Sequence, residues 1–171
     1  NHAAANEIKK IIPANKKKIL IAPSSSGPTT MWNVSSFIEL MKKLDVEFDC
    51  FFIIAVDSSV REKKIADEIT KSFDKNKIMS LSDRTINQIM PIISYCNVAI
   101  CNDTSFQHLS CQLNVPTLIL RFDTPDAYSS YSKLQYSILP EGHAKIDHDT
   151  KADTNLIKID NVFSKTLEII N

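Results

Sequence analysis

The stretch "NVAICNDTSFQHLSCQLNVPTLIL", residues 97–120, decides the fold. The apolar run NVAIC (97–101) ends in Asn102, Asp103 and Thr104, and an amphipathic segment follows. After Pro116 a second apolar run, TLILRF (117–122), begins. Two short hydrophobic strands separated by a helix-length segment imply a parallel βαβ unit, because only strands covered on both faces are apolar without alternation. In open parallel sheets ligands sit beyond the carboxyl ends of the strands, so this polar cluster occupies a candidate binding position.

Working outward, the same alternation continues. Further strands are expected at KILIA (18–22), CFFIIAV (50–56), KIMSL (77–81) and, less regular, QYSIL (135–139). The spacing predicts a helix over 33–44, with Val34, Phe37, Ile38, Met41 and Leu44 on one face. With Asn33 as N-cap, Trp32 and Phe37 stand at hydrophobic-staple spacing. Ile65, Ile69 and Phe73, with Ala66 beside them, form the stripe of a helix over 59–73. Capping-box spacing occurs at Ser59/Glu62, Thr85/Gln88 and Thr104/Gln107, each ahead of an apolar periodic segment. Pro91 should kink the helix that starts at Ile86. "LIKIDNVFSKTLEII" (156–170) is expected to form one last amphipathic helix. The fold class is therefore α/β: a doubly wound, mainly parallel sheet with helices on both faces. The loop 123–133, rich in Ser, Tyr and Asp, is the expected irregular functional segment.

Composition narrows the function. A chain of 171 residues with 43% hydrophobic and 23% charged residues suits one packed domain. Twenty basic and twenty acidic residues balance, which argues against nucleic-acid binding by phosphate neutralisation. Cys50, Cys96, Cys101 and Cys111 form no C-x-x-C pair, so reduced thiols are expected and zinc is not. His148, between Asp147 and Asp149, is an isolated metal-ligand spacing in what reads as an exposed loop. No metal or cofactor is expected. No apolar run approaches the roughly 20 residues of a membrane span, and no signal-peptide pattern is seen. Residues 1–16, opening with NHAAAN, read as a tag remnant or linker, and 17–171 as the domain.

Two junctions carry the candidate chemistry. At the first, helix-start N–H groups and the helix dipole favour an anion. Thr104 could cap the helix and bond a phosphate, His108 lies one turn further in, and Asp103 could orient loop amides or meet a ligand hydroxyl. Asp and Thr are also ordinary capping residues, so this spacing fits a plain helix start equally. The second junction is APSSSGPTTMW (22–32), whose Ser, Gly and Thr could hold phosphate oxygens. It is neither a P-loop nor a dinucleotide fingerprint, since the chain has only Gly27 and Gly142.

In order and register, these junctions resemble the C-terminal half of the heptosyltransferase family (glycosyltransferase family 9), inverting enzymes of the GT-B fold. The resemblance runs from about Lys17 to the end. IAPSSSGPTTMWN stands where the family has a small-residue loop and Lys-x-Trp-Pro. NDTSFQHLSCQLNVPTLIL resembles its Asp-Ser/Thr-Gly-x-x-His-Leu segment with the following Gly-x-Pro and strand. RFDTPDAY matches a Gly-Pro-Thr-Asp-Pro-like loop through Thr124, and LSDRTINQI a Leu-x-Gly-Lys-Thr segment. The resemblance implies that Asp103, Thr104, Ser105 and His108 face the diphosphate of a nucleotide-sugar donor. Ser24, Ser25, Ser26 and Thr30 would lie across from them, with Glu62, Arg121 and Thr124 as further donor contacts. Glu62 is equally explained as the capping-box partner of Ser59.

It also implies a sugar transfer from an ADP-heptose-type donor to a lipopolysaccharide or other glycan, lipid-linked acceptors included. A cytoplasmic location, peripheral at the inner membrane, follows from the same family. The acceptor-binding domain that carries the catalytic base in the family has no counterpart in this chain, so an N-terminal domain or partner chain is expected to complete it. Two substitutions depart from the pattern. Thr30 replaces the family lysine two positions before the tryptophan, and Ser105 replaces the motif glycine. Loss of one charge-assisted contact removes about 1.5–3 kcal/mol, unless His108 or Arg121 compensates. Two other readings share this fold: a non-catalytic nucleotide-sugar-binding or assembly domain, and a GT-B enzyme using a UDP-sugar.

Overall fold

A computed structural model describes residues 11–25, Gly27, 30–150 and 152–171. Six parallel strands form one sheet: β1 Lys17–Ala22, β2 Cys50–Ile54, β3 Ile78–Ser80, β4 Val98–Asn102, β5 Thr117–Leu120 and β6 Gln135–Ile138. Their spatial order is β3-β2-β1-β4-β5-β6. The order reverses between β1 and β4, and that switch point opens a crevice at the carboxyl ends of those two strands. It lies between the two junctions singled out in the sequence.

The helices are α1 Val34–Phe48, α2 Val60–Thr70, α3 Ile86–Ile93, α4 Ser105–Gln112 and α5 Ile159–Ile170. Strand side chains alternate between two cores, as period-two geometry requires. Ile19, Ile21, Phe52, Ile54 and Ile100 face α1, α2 and α5, while Leu20, Ile53, Ala99 and Cys101 face α3 and α4. The expected staple forms: Trp32 and Phe37 meet edge to face with centroids 5.0 Å apart, both buried. Burying such a side chain contributes about 1.5–3 kcal/mol, and an aromatic pair adds about 0.5–1.5 kcal/mol.

Several boundaries differ from the sequence expectation. Helix α1 continues past Leu44 to Phe48 and stops where Asp49 turns left-handed, with φ 49°. Phe73 falls beyond α2 yet still packs against Phe52, 5.3 Å between centroids. Helix α3 runs through Pro91 to Ile93, and Gln88 Oε1 accepts the Thr85 N–H at 2.8 Å. The last helix starts at Ile159, not Leu156. Ile157 is extended and buried there because its carbonyl accepts the Trp32 indole N–H at 3.0 Å. Ile12, in the segment set aside as a linker, is buried in the α3–α4 core, so packing begins at least there. The four cysteines are free and buried. No helix among the described residues is long and apolar enough to cross a membrane.

Candidate functional site at the β1–β4 switch point

Asn102 ends β4 and is fully buried. Its Oδ1 accepts the Trp32 N–H at 3.1 Å, and its Nδ2 donates to the Pro23 carbonyl at 2.6 Å. One side chain thus ties both ends of the β1–α1 loop to the tip of β4. A polar group this deep is tolerated because both halves of its amide are matched.

The next residues build the start of α4. Thr104 is its N-cap, in extended conformation, and its hydroxyl accepts the Phe106 N–H at 3.4 Å. The expected capping box with Gln107 is absent. Gln107 is instead fully buried and donates Nε2 to the Tyr128 carbonyl at 3.2 Å, pinning the loop after β5 onto α4. Ser105 is exposed at the first helical position. The helix closes in a Schellman turn: Val115 N–H reaches the Ser110 carbonyl at 3.0 Å and Asn114 N–H that of Cys111 at 3.1 Å. Asn114, where the resemblance has glycine, takes φ 61°, which asparagine tolerates better than most residues.

Asp103 acts on the loop after β5. Its Oδ2 accepts the Thr124 hydroxyl at 2.7 Å. Arg121 does not present its charge to the junction. It is buried, Nε and Nη2 donate to the Thr124 carbonyl, the former at 2.9 Å, and Nη1 pairs with Asp126. A guanidinium removed from water needs such partners, and each of its three nitrogens is committed to the loop. His108 meets Tyr131 on the exposed side of α4, with Nδ1 2.6 Å from the phenol oxygen.

Across the crevice, Ser24, Ser25 and Thr30 are buried and Ser26 lies outside the described residues. The Ser25 and Thr30 hydroxyls lie against each other and 3.0 and 2.9 Å from the Gly27 carbonyl; with one proton each, one of them donates to the carbonyl while the other donates to its neighbouring hydroxyl. These hydroxyls hold the loop closed on itself. Glu62 sits in the first turn of α2; Ser59 caps its N–H at 3.3 Å, and its carboxylate accepts the Asp57 N–H at 2.8 Å. That is a capping arrangement shifted by two residues, since Ser59 N–H is taken by Asp57 Oδ1 at 2.7 Å. The Ser59 hydroxyl, and after it this main-chain bond, hold the Asp57 carboxyl below its ordinary pKa. Sequence reasoning missed Arg61, whose guanidinium lies against the Met31 sulfur at the edge of the β1–α1 loop. It also missed the tethering roles of Asn102, Gln107 and Tyr131. Only Asn102 had a local signal, a polar residue ending an apolar strand.

Fold and topology define the class, a Rossmann-like unit matching one half of GT-B enzymes. The chain belongs to glycosyltransferase family 9 (heptosyltransferase), whose sequence profile matches residues 1–154. A Haemophilus influenzae protein named as a candidate glycosyltransferase is 28% identical over 113 residues, covering 63% of this chain and 31% of that protein. The family 9 glycosyltransferase of Veillonella parvula superposes with a TM-score of 0.81 at 12% identity, over 98% of this chain and 50% of its own. Escherichia coli heptosyltransferase WaaC with ADP superposes with a TM-score of 0.73 at 14% identity, over 99% and 49%. The chain therefore spans about half the length of these structures and less of the curated relative.

Proposed function

We propose that this chain is the donor-binding half of a sugar transferase that uses a nucleotide-diphosphate sugar of the ADP-heptose type. The acceptor is a lipopolysaccharide or other glycan, and the protein works at the cytoplasmic side of a membrane. The supporting observation is the Asn102 tether, which brings the Ser/Thr loop after β1 against the capped start of α4. An anion between them meets the α4 N–H groups and the Thr104 hydroxyl together. The ADP complex of WaaC, a structural neighbour, supports adenine as the base.

In an inverting displacement the acceptor hydroxyl loses its proton to a base as the diphosphate leaves. The α4 dipole, Thr104 and His108 would stabilise the leaving charge. Asp103 is committed to Thr124 and serves as organiser, so the base belongs to an acceptor-binding domain or partner chain. Arg61, not Thr30, is the cation we assign to the diphosphate, since Thr30 is neutral and folded into its own loop. The spent hydroxyls of Ser25 and Thr30 favour one rival reading, a non-catalytic domain of this fold.

Thermal unfolding with ADP, UDP, GDP and CDP separates these readings. A ligand at ~100 times Kd adds about 2.7 kcal/mol of stability. Stabilisation by ADP alone, reduced by His108→Ala, is expected. Stabilisation by UDP alone would favour a UDP-sugar enzyme, and none at millimolar nucleotide would favour the non-catalytic domain.

A further inference from the structure

Thr104 and His108 are four residues apart, which places them on one side of the first turn of α4. His108 has two ring nitrogens, and they are not equivalent in this structure. Nδ1 lies 2.6 Å from the Tyr131 hydroxyl, and the two rings stack 19° from parallel with centroids 5.7 Å apart. Flipping the imidazole would put a carbon where Nδ1 stands and lose that bond. The segment carrying Tyr131 is itself held to α4 by the Gln107–Tyr128 bond. Ring, partner and backbone are therefore constrained together.

The direction of the bond follows from the two groups. Partial desolvation pushes the Tyr131 pKa above its ordinary value, so the phenol keeps its proton near neutral pH. A phenol O–H donates more strongly than a neutral imidazole N–H, and an imidazole nitrogen accepts more strongly than a phenol oxygen, so the 2.6 Å contact is read as the Tyr131 O–H donating to the Nδ1 lone pair. A neutral imidazole that accepts at Nδ1 carries its proton on Nε2.

We propose that Tyr131 is a positioning residue for His108, holding it as the Nε2–H tautomer so that Nε2–H is offered to the anion at the start of α4. The identity of that anion as a diphosphate rests on the donor-site reading above; the tautomer does not. Tyr131 then contributes to affinity without touching the nucleotide.

The test combines 15N-resolved imidazole NMR of the 171-residue chain with ADP titration calorimetry, on wild type, Tyr131→Phe, His108→Ala and the double variant. Phenylalanine keeps the stack and removes only the hydroxyl. The expected result is an Nε2-protonated His108 in wild type and a tautomer mixture in Tyr131→Phe. ADP binding should weaken about fivefold in that variant, the scale of one neutral hydrogen bond. In the His108→Ala background the same substitution should change ADP affinity by less than about twofold. Protonation at Nδ1 in wild type, or an unchanged nitrogen pattern in Tyr131→Phe, overturns the proposal. So does an equal loss of ADP affinity with and without His108, which would make Tyr131 a direct contact. A tautomer that responds to Tyr131→Phe in a chain that binds no ADP upholds the positioning role and overturns the donor-site reading instead.

Discussion

Asn102 accepts the main-chain N–H of Trp32 at 3.1 Å across 70 positions of sequence, and its other amide atom binds Pro23. This couples the end of β4 to both ends of the β1–α1 loop. Asn102→Ala would bury an unmatched N–H and an unmatched carbonyl, each costing about 1–3 kcal/mol. A loss of about 2–4 kcal/mol in urea unfolding is expected, with weakened ADP binding. Asn102→Asp keeps the acceptor, loses the donor and adds a buried charge; it should be at least as damaging.

Asn114 is the left-handed residue that closes α4. Asn114→Gly should leave stability within about 0.5 kcal/mol or raise it, since glycine enters this region freely. Asn114→Ala should cost about 1 kcal/mol. Equal midpoints for the two variants in chemical denaturation would show that the turn is not held as described.

The buried thiols set an alkaline limit. Burial raises Cys50 and Cys96 from 9.0 to about 12 and raises Cys101 as well. Above pH 9 the unfolded chain releases these protons while the native chain retains them, so stability falls as pH rises from about 9 towards 12. Each thiol contributes a slope of at most about 1.4 kcal/mol per pH unit. Cys96→Ala should flatten the decline between pH 9 and 11 relative to wild type. At pH 8 a thiol reagent should label the native cysteines only as fast as the chain opens.

Arg61 tests the charge assignment at the crevice. Arg61→Ala should weaken ADP binding about tenfold, on the scale of a charge-assisted hydrogen bond, and leave adenosine unaffected. Arg61→Lys should restore part of the loss. The wild-type advantage should shrink at high salt, because the guanidinium is exposed. An identical ADP affinity in Arg61→Ala would remove Arg61 from the site.

The residues that the sequence brought forward and those that hold the site together overlap only in part. Strand ends and helix starts were legible because apolar runs and capping residues are local signals, and Trp32–Phe37 stapled as its spacing implied. Gln107 shows where such signals fail. Its capping-box spacing was formally correct, but burial against the loop after β5 gave its amide a carbonyl 21 positions away. Arg121 had the charge to replace the family lysine, yet its own loop consumed its donors. Ile157 fitted a helical stripe and was drawn out of it by the Trp32 indole.

By itself the sequence determined the α/β class, the six strands, the family and the two junctions, because these depend on periodicity and on order along the chain. The tertiary structure alone decided which polar groups remain available at those junctions. Asn102, Asp103, Thr124 and Arg121 are spent on holding the loops, and His108 is oriented by Tyr131. A hydrogen-bonding group is committed by whatever lies within about 3 Å of it, and those neighbours are set by the packing of distant segments.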